Sequence, residues 1–462
     1  MCLDLINKKS ENMKVVILGA GEVGFHVAKA LSEEDYDITV IDIDPDKCQR
    51  AKENLDVIVV TGNGASPSVL LEAKVSNADY VLCLTRVDEI NLIAAQQAHE
   101  LGANKIIARL RNQDYTAKDS IIRPEKFGVD YVIHPEKEVC NEIARLVRHP
   151  YAVQAMDFEG GRLKMLGIKI SDKNINLMGN NLSEICISTS HFRFGVIAIL
   201  RDKETVIPSG EFNFKSGDIA YFIIKSDDLD HLLTFLSMDD FRASRVMIVG
   251  ASKIGRTLAK KLPSEDFNVR LVDYNRPKAS LIANDINQAM VIHGDGTDIE
   301  FLKSENIQDV DSFIAVTEDD KTNLISGLLA NHLGAKQIII HVQTTEFIPT
   351  IQEVGVGAVS SKNLSTVNSI LKHLHSDLSQ IPIMTFDELD LEAIEFQPDV
   401  GSPVTQKLIK ELDLPEDSIV GMINHHGKIR IAHGDLQLTD DDTALVFAKP
   451  HAIKKLKKLF NK

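Results

Sequence analysis

The fold is decided by a stretch near the start of the sequence, Val15-Val16-Ile17-Leu18-Gly19-Ala20-Gly21-Glu22-Val23-Gly24. This stretch predicts a short buried strand, a glycine-rich turn and the first turn of a helix. Gly19 permits the tight turn, Gly21 lets the backbone approach a diphosphate, and Gly24 lets the helix pack against the strand. The amides and the dipole at the start of the helix favour an anion.

The context of this turn strengthens the interpretation. A second apolar run, Ile38-Thr39-Val40-Ile41, ends in Asp42. An acid that accepts hydrogen bonds from ribose belongs at this place, about 20 residues after the glycines. The sequence therefore predicts a dinucleotide-binding turn, and a glycine turn without a nucleotide is the alternative.

Length and composition limit the class of protein. The 462 residues, 44% of them hydrophobic, predict two or more domains with substantial cores. The formal net charge of -16 argues against a nucleic-acid partner, because phosphate binding needs a basic face. The five cysteines show no C-x-x-C spacing and predict reduced thiols in a cytosolic protein. No apolar run is long enough for a transmembrane helix. Residues 1–12 are interpreted as a polar leader, with Met13 as an alternative start.

Strand and helix patterns alternate from Lys14 onward, which predicts right-handed crossovers and a parallel sheet. Because the carboxyl ends of parallel strands meet at one edge of the sheet, the residues that follow the strands should surround one cleft. These residues are Gly19, Asp42, Gly62, Thr85 and Arg109.

The same series of motifs occurs a second time. Gly19, Gly24 and Asp42 match residues 231 positions later, and Gly62, Thr85, Asn91 and Gly102 match residues 232 positions later. Such a constant offset indicates an internal repeat. The predicted fold is α/β, with two Rossmann-like, doubly wound parallel-sheet domains, each followed by a small α+β domain. The predicted boundaries are 13–150, 151–240, 241–375 and 376–462.

This layout resembles the TrkA family, the regulatory subunits of Trk potassium-uptake systems, with paired RCK (KTN) and RCK-C domains. The motifs that carry the resemblance are the glycine turn, Thr39-Val40-Ile41-Asp42, Thr61-Gly62-Asn63-Gly64, Thr85-Arg86-Val87-Asp88-Glu89-Ile90-Asn91 and Ile107-Ala108-Arg109. The resemblance implies a non-enzymatic, cytoplasmic protein, peripheral on the cytoplasmic face of the inner membrane. It also implies a homo-oligomeric ring, a tetramer, under a membrane potassium channel or transporter subunit of the TrkH type, whose opening nucleotides would change.

The first repeat is expected to bind NAD(H), with ATP or ADP as further ligands. An acid at Asp42 disfavours the 2′-phosphate of NADP(H), and Glu22 would repel a third phosphate. The other expected contacts are the backbone of Gly19, Ala20, Gly21, Val23 and Gly24 around the diphosphate, Asn63 and Gly64 beside adenine, and Thr85, Arg86 and Glu89 beside nicotinamide or the terminal phosphate. Arg109 is either a phosphate ligand or a surface ion pair. Thr85 or Asp88 could also cap the next helix.

The second repeat is expected to bind weakly, to take another nucleotide such as ATP or ADP, or to be structural. Ser252 replaces the close-approach glycine, while Lys253 adds a positive charge. Arg276 could satisfy Asp273 or attract phosphate, and His341 replaces Arg109. The candidate ligand positions are Gly250, Ala251, Ser252, Lys253, Ile254, Gly255, Asp273, Asp295 and Thr317.

An NAD-dependent oxidoreductase and a stand-alone nucleotide sensor are the alternative functions. An oxidoreductase needs a general acid or base beside the nicotinamide, and the sequence offers no candidate. His425 and His426 are interpreted as exposed turn residues. We therefore predict no catalytic and no metal site, although Asp319 and Asp320 leave a divalent ion open.

Overall fold

The computed structural model describes residues 12–32, 36–117, 120–189, 192–202, 204–238, 243–376, 382–386 and 389–461. The predicted leader, apart from Asn12, lies outside them. The described residues form four sheets in succession, two of them parallel and two antiparallel. This arrangement confirms the predicted α/β class with two Rossmann-like parallel sheets. The exact domain boundaries stay a prediction.

The first sheet is parallel, with strand order β3-β2-β1-β4-β5-β6. Its strands are β1 (Met13–Leu18), β2 (Tyr36–Asp42), β3 (Ile58–Thr61), β4 (Tyr80–Cys83), β5 (Lys105–Arg109) and β6 (Tyr131–Ile133). The helices that follow them are α1 (Glu22–Ser32), α2 (Pro45–Asn54), α3 (Pro67–Glu72), α4 (Asp88–Glu100) and α5 (Pro135–Arg148).

The second sheet is antiparallel, with strand order β10-β9-β11-β8-β7. Its elements are β7 (Ala152–Phe158), β8 (Leu163–Lys169), α6 (Leu182–Ser188), β9 (Phe194–Arg201), β10 (Glu204–Val206), β11 (Ile219–Lys225) and α7 (Leu229–Phe235). These elements form a small α+β domain of the kind that the sequence predicts after each parallel sheet.

The third sheet repeats the first, with order β14-β13-β12-β15-β16-β17. Its strands are β12 (Arg245–Val249), β13 (Asn268–Asp273), β14 (Met290–His293), β15 (Ser312–Ala315), β16 (Gln337–Val342) and β17 (Ala358–Ser361). Its helices are α8 (Lys253–Lys261), α9 (Arg276–Asp285), α10 (Ile299–Ser304), α11 (Asp320–His332), α12 (Ile348–Val354) and α13 (Lys362–Ser376).

The fourth sheet is antiparallel, with order β18-β19-β22-β20-β21. Its elements are β18 (Pro382–Phe386), β19 (Leu391–Phe396), β20 (Ser418–His425), β21 (Lys428–Ile431), β22 (Asp442–Ala448) and α14 (Pro450–Phe460). Its apolar side shares a core cluster with the second sheet, which includes Phe158, Ile223, Met422 and Phe447.

The parallel sheets have apolar strands because helices cover both of their faces. β1 illustrates this, since its last four residues, Val15 to Leu18, are all buried. The register aligns Leu18 of β1 with Ile41 of β2 and Cys83 of β4, and Cys83 with Ala108 of β5. The next residues along these strands therefore come to one sheet edge.

The chain divides into two compact units, and the last helix of each repeat belongs largely to the unit of the other repeat. One unit contains residues 1–138 and 362–374. Within it, Val367, Ile370 and Leu371 of α13 join the core around Ile17. The sequence does not indicate which sheet α13 packs against, because its apolar face fits either sheet.

The other unit contains residues 139–361 and 375–462. Within it, the part of α5 from Val139 to Val147 joins the core of the third sheet. Polar contacts reinforce this packing, since Arg148 donates twice to the Glu265 carboxylate, at 2.8 and 2.7 Å.

Candidate functional site

The glycine-rich turn lies between β1 and α1. Gly19 has a φ of +102°, which residues with a Cβ rarely adopt. A Cβ on Gly24 would lie 1.8 Å from the Gly19 carbonyl oxygen, whereas a Cβ on Gly21 would meet nothing within 4 Å. The fold itself therefore requires Gly19 and Gly24. Gly21 faces open space, where a ligand has room to approach the backbone.

The start of α1 offers main-chain donors to that space. The helix begins at Glu22, and the amides of a first helical turn have no partners within the helix. Gly21 has no side chain that could accept them. Ala20 and Val23 are buried in the core and hold the turn in place. The arrangement suits a diphosphate.

Asp42 lies at the end of β2 beside this turn. Its carboxylate accepts the Ala20 amide at 2.6 Å on Oδ2 and the Asp44 amide at 2.9 Å on Oδ1. A carboxylate offers about four acceptor positions, so ribose hydroxyls can still bind. Asp42 is half-buried, as a side chain at the rim of a cleft would be.

The loops after β3 and β4 come to the same place. A Cβ on Gly64 would lie 2.7 Å from Cδ2 of Leu18, the last residue of β1, and a Cβ on Gly19 would lie 3.1 Å from the Thr85 nitrogen. The Asn63 carboxamide accepts the Ala65 amide at 3.0 Å within its own loop. The structure thus brings Gly19, Gly64 and Thr85 together, as the sequence predicts.

Asn91 joins two of these strand ends, and sequence reasoning missed its role. It is fully buried on α4. Its oxygen accepts the Thr85 amide at 3.0 Å and the Thr85 hydroxyl at 2.6 Å, while its nitrogen donates to the Thr85 and Arg109 carbonyls at 3.1 and 2.8 Å. The signal was available, because Asn91 matches Asn323 in the repeat, and Asn323 makes the same contacts with Thr317 and His341.

Arg109 is the last residue of β5 and is buried, with 8% of its surface exposed. Within the part of the chain that the structure describes, its Nε has no hydrogen-bond partner. Burial, followed by the charge of Arg111, lowers the pKa of Arg109. The alternative of a surface ion pair is therefore wrong. A guanidinium is chemically suited to an anionic ligand, although this Nε is itself shielded from solvent.

Two of the remaining charged residues of the first cleft, Glu22 and Glu89, already contact protein groups. The Glu22 carboxylate lies 2.9 Å from Nη1 of Arg50, whose guanidinium stacks on the Phe25 ring. This partner weakens the repulsion of a third phosphate that the sequence predicts for Glu22. Arg86 and Glu89 are exposed, and the Glu89 carboxylate accepts the Tyr115 hydroxyl at 3.1 Å.

Neither Thr85 nor Asp88 caps α4, so that interpretation is wrong. The N-cap position is Val87, whose own side chain makes no capping hydrogen bond. The Asp88 carboxylate instead accepts the amides of Arg111 and Asn112, at 2.8 and 2.7 Å. Asp88 thereby fixes the loop that follows β5.

The second repeat has a similar backbone but a different turn. Gly250 has a φ of +104°, and a Cβ on Gly255 would lie 2.0 Å from the Gly250 carbonyl oxygen. Ser252 is the N-cap of α8, and its hydroxyl accepts the Gly255 amide at 3.2 Å. A donor that could face an anion in the first repeat is thus occupied here. Ile254 is buried, and Lys253 begins the helix.

Asp273 is more buried than Asp42, with 3% of its surface exposed. It accepts the Ala251 amide at 2.8 Å and the Asn275 amide at 2.9 Å, which repeats the first site. Nζ of Lys278 lies 3.1 Å from Oδ2 of Asp273. Of the two roles expected for Arg276, the pairing with Asp273 is wrong, because Lys278 makes it. The attraction of phosphate by Arg276 stays a prediction.

The other strand-end residues of the second repeat have local partners. Asp295 accepts the Thr297 amide and hydroxyl, both at 2.8 Å, and Asp320 accepts the amides of Gln343 and Thr344. Asp319 caps α11. Among the described residues, no group of three or more His, Cys, Asp or Glu side chains could hold a metal ion.

The pair of histidines near the end of the chain is only partly what the sequence predicts. His426 is exposed with a φ of +47°. His425, by contrast, places Nδ1 2.8 Å from the fully buried Asp442 carboxylate. The matching pair in the second sheet is Arg201 and Asp218, joined at 2.7 Å by two hydrogen bonds.

Comparison with known proteins identifies the family. The TrkA-N domain model matches residues 15–135 and 246–362, and the TrkA-C domain model matches residues 393–461. The chain belongs to the TrkA family. This TrkA-family chain is 32% identical to the Trk system potassium uptake protein TrkA homolog 2 of Methanosarcina mazei, over 97% of this chain and 100% of that protein. It is 31% identical to the TrkA of Halomonas elongata, over 94% and 95% of the two chains.

Solved structures show the same fold as this TrkA-family chain. The GsuK RCK domain has a TM-score of 0.58 and 16% identity, covering 98% of this chain and 96% of that one. The GsuK channel bound to NAD has a TM-score of 0.57 and 15% identity, covering 98% and 79%. In the described residues of the TrkA-family chain, no helix is both long and apolar enough to span a membrane.

Proposed function

We propose that this TrkA-family chain is a nucleotide-binding regulatory subunit that gates a membrane potassium channel or transporter subunit of the TrkH type. NAD(H) binds in the first cleft, and ATP or ADP binds there or in the second. The chain works in the cytoplasm, attached peripherally to the cytoplasmic face of the inner membrane. It performs no catalysis of its own.

The observation that carries this proposal is the burial of Arg109 at the end of β5, on the same sheet edge as the glycine turn. A buried charge without a full set of partners destabilises a folded protein, so its presence favours a role in binding. The aligned register of β1, β4 and β5 brings the Gly19 turn, Thr85 and Arg109 to one sheet edge. Two classes of phosphate donor, main-chain amides and a guanidinium, thus belong to residues that follow or end strands at that edge.

The choice of NAD(H) over NADP(H) rests on Asp42. Its carboxylate can accept ribose hydroxyls but repels a 2′-phosphate. The GsuK channel, which has this fold, has been solved bound to NAD, so the fold accommodates a dinucleotide. Because Arg50 pairs with Glu22, the site also tolerates a triphosphate such as ATP.

Assembly into a homo-oligomeric ring, with the tetramer as our proposal, is supported by matched apolar positions. Ile93 on α4 and Ile325 on α11 are each 49% exposed, and they are equivalent in the repeat. Copies of one chain can close a ring by reusing such an interface. Analytical ultracentrifugation of Ile93→Glu and Ile325→Glu should then show smaller species than the wild type.

Gating requires that a nucleotide binds two shapes of the ring with different affinities. A ligand shifts this equilibrium only by the difference in its affinity for the two shapes. NADH and ATP with opposite preferences would therefore act as opposing signals.

Potassium uptake in vesicles that hold the membrane subunit tests this function. We expect uptake to respond to NADH or ATP only when the wild-type chain is added. Gly21→Val should abolish the response, because the side chain fills the space above the turn. Binding of NADH with no effect on uptake would favour a stand-alone sensor, and steady oxidation of NADH with a hydroxy or keto substrate would favour an oxidoreductase.

A further inference from the structure

The two repeats place an equivalent lysine against different carboxylates. In the first repeat, Nζ of Lys47 lies 3.1 Å from Oδ2 of Asp44. In the second, Nζ of the equivalent Lys278 lies 3.1 Å from Oδ2 of Asp273. Asp273 is the counterpart of Asp42, the proposed ribose acceptor. The same lysine position thus leaves the acceptor alone in one cleft and occupies it in the other.

One substitution between the repeats accounts for this difference. The N-cap residue, which immediately precedes the helix, is Asp44 before α2 in the first repeat and Asn275 before α9 in the second. Both cap their helices, since Asp44 accepts the Asp46 amide and Asn275 accepts the Lys278 amide, each at 3.0 Å. The side chain at this position therefore caps the helix in both repeats, but it carries a negative charge only in the first. Without a carboxylate at the cap, the lysine turns to the next one, which is Asp273.

We infer that Asp44 is a positioning residue that maintains NAD(H) affinity in the first cleft by holding Lys47 away from Asp42. This inference rests on the proposed binding of NAD(H) there. In the second cleft, Lys278 neutralises the ribose acceptor and the Ser252 hydroxyl occupies the Gly255 amide. The second cleft thus satisfies internally two groups that would otherwise bind a nucleotide.

The test measures NADH affinity by calorimetry on the full chain, in wild type and three variants. In Asp44→Asn, Lys47 should pair with Asp42 and weaken NADH binding by about tenfold, the effect of losing roughly one charged hydrogen bond. Asp44→Asn with Lys47→Met should bind as the wild type does, because the competing cation is gone. Lys47→Met alone is the control and should also match the wild type.

The outcomes separate a positioning role from a structural one. Asp44→Asn with unchanged affinity, or a loss that Lys47→Met does not reverse, would overturn the inference. The loss in Asp44→Asn should also shrink at high salt, because salt screens an exposed ion pair. Failure of the wild type to bind NADH would instead reject the proposed function itself.

The mirror experiment restores the second cleft. Asn275→Asp gives Lys278 its alternative carboxylate, and Ser252→Gly releases the Gly255 amide. The double variant should bind about one more NADH per chain than the wild type does. An unchanged stoichiometry, with the variant folded as judged by circular dichroism, would contradict the inference for this cleft.

Discussion

The side-chain amide of Asn91 donates to the main-chain carbonyl of Arg109 at 2.8 Å. The same side chain also holds the backbone and hydroxyl of Thr85. Asn91 therefore fixes the ends of β4 and β5 relative to each other, and with them two residues of the proposed nucleotide cleft. Asn323 performs the same task in the second repeat, where Arg109 is replaced by His341.

Replacement of Asn91 by alanine should loosen this junction. Each buried polar group left without a partner costs about 1–3 kcal/mol, so the Thr85 amide should exchange its hydrogen roughly tenfold to a hundredfold faster. NADH affinity should fall as well. Asn323→Ala is the matched control, since it should speed exchange at Thr317 and leave first-cleft affinity unchanged. Equal affinities in Asn91→Ala and wild type would show that the junction has no part in binding.

Replacement of Arg109 by leucine should separate stability from binding. The variant removes a buried charge whose Nε has no hydrogen-bond partner among the described residues, so the melting temperature should not fall. The diphosphate loses charged hydrogen bonds of ~1.5–3 kcal/mol, so NADH should bind at least about tenfold more weakly. A clear loss of stability with unchanged NADH affinity would assign Arg109 a purely structural role.

Two glycines of the turn should respond differently to alanine. In Gly24→Ala the Cβ would collide with the Gly19 carbonyl, so we expect loss of folded protein. In Gly21→Ala the Cβ meets only open space, so the melting temperature should stay near that of the wild type while NADH affinity falls. Thermal unfolding and calorimetry check both. Full NADH affinity in Gly21→Ala would mean that no ligand approaches the backbone there.

His149 should make stability depend on pH. Burial lowers its pKa to about 4, whereas an unfolded chain takes up the proton below about 6.5. This contribution to stability is present above pH 6.5 and is lost as the pH falls towards 4, about 2 kcal/mol of it between pH 7 and pH 5.

The His149→Gln variant, which can keep a hydrogen bond to the Tyr151 hydroxyl, tests this expectation. Urea denaturation should show a loss of stability between pH 7 and pH 5 that is about 2 kcal/mol smaller than in the wild type. The exposed His426→Gln serves as the control and should behave as the wild type does. An identical pH dependence in His149→Gln would contradict the assignment.

Much of the fold could be predicted from periodicity and repetition. Short apolar runs followed by turn residues, such as Val15 to Leu18 before Gly19, indicate strands buried on both faces, and the constant offset between the repeats predicts the duplication. The positions of Gly19 and Gly24 follow from backbone sterics, which act locally. The convergence of Gly19, Gly64 and Thr85 follows because parallel strands end at one edge.

Other features could not be predicted, because they depend on contacts between residues that are far apart in the sequence. In some cases two residues or two helices also fit the same position equally well. The choice of Lys278 over Arg276 depends on whether a second carboxylate is within reach. The burial of Arg109 depends on how closely the neighbouring loops cover it. The exchange of α5 and α13 between the two units depends on which of two similar sheets each helix covers, and both choices satisfy the same apolar pattern.

The central claim is that the first cleft binds a nucleotide without turning it over. The most direct test is calorimetric titration of the full chain with NADH, NAD, ATP and ADP, repeated on Asp42→Ala. We predict saturable NADH binding that weakens by about tenfold or more in the variant, with no change in NADH absorbance over time. Binding of none of the four nucleotides, or equal NADH affinity in Asp42→Ala and the wild type, would contradict this account.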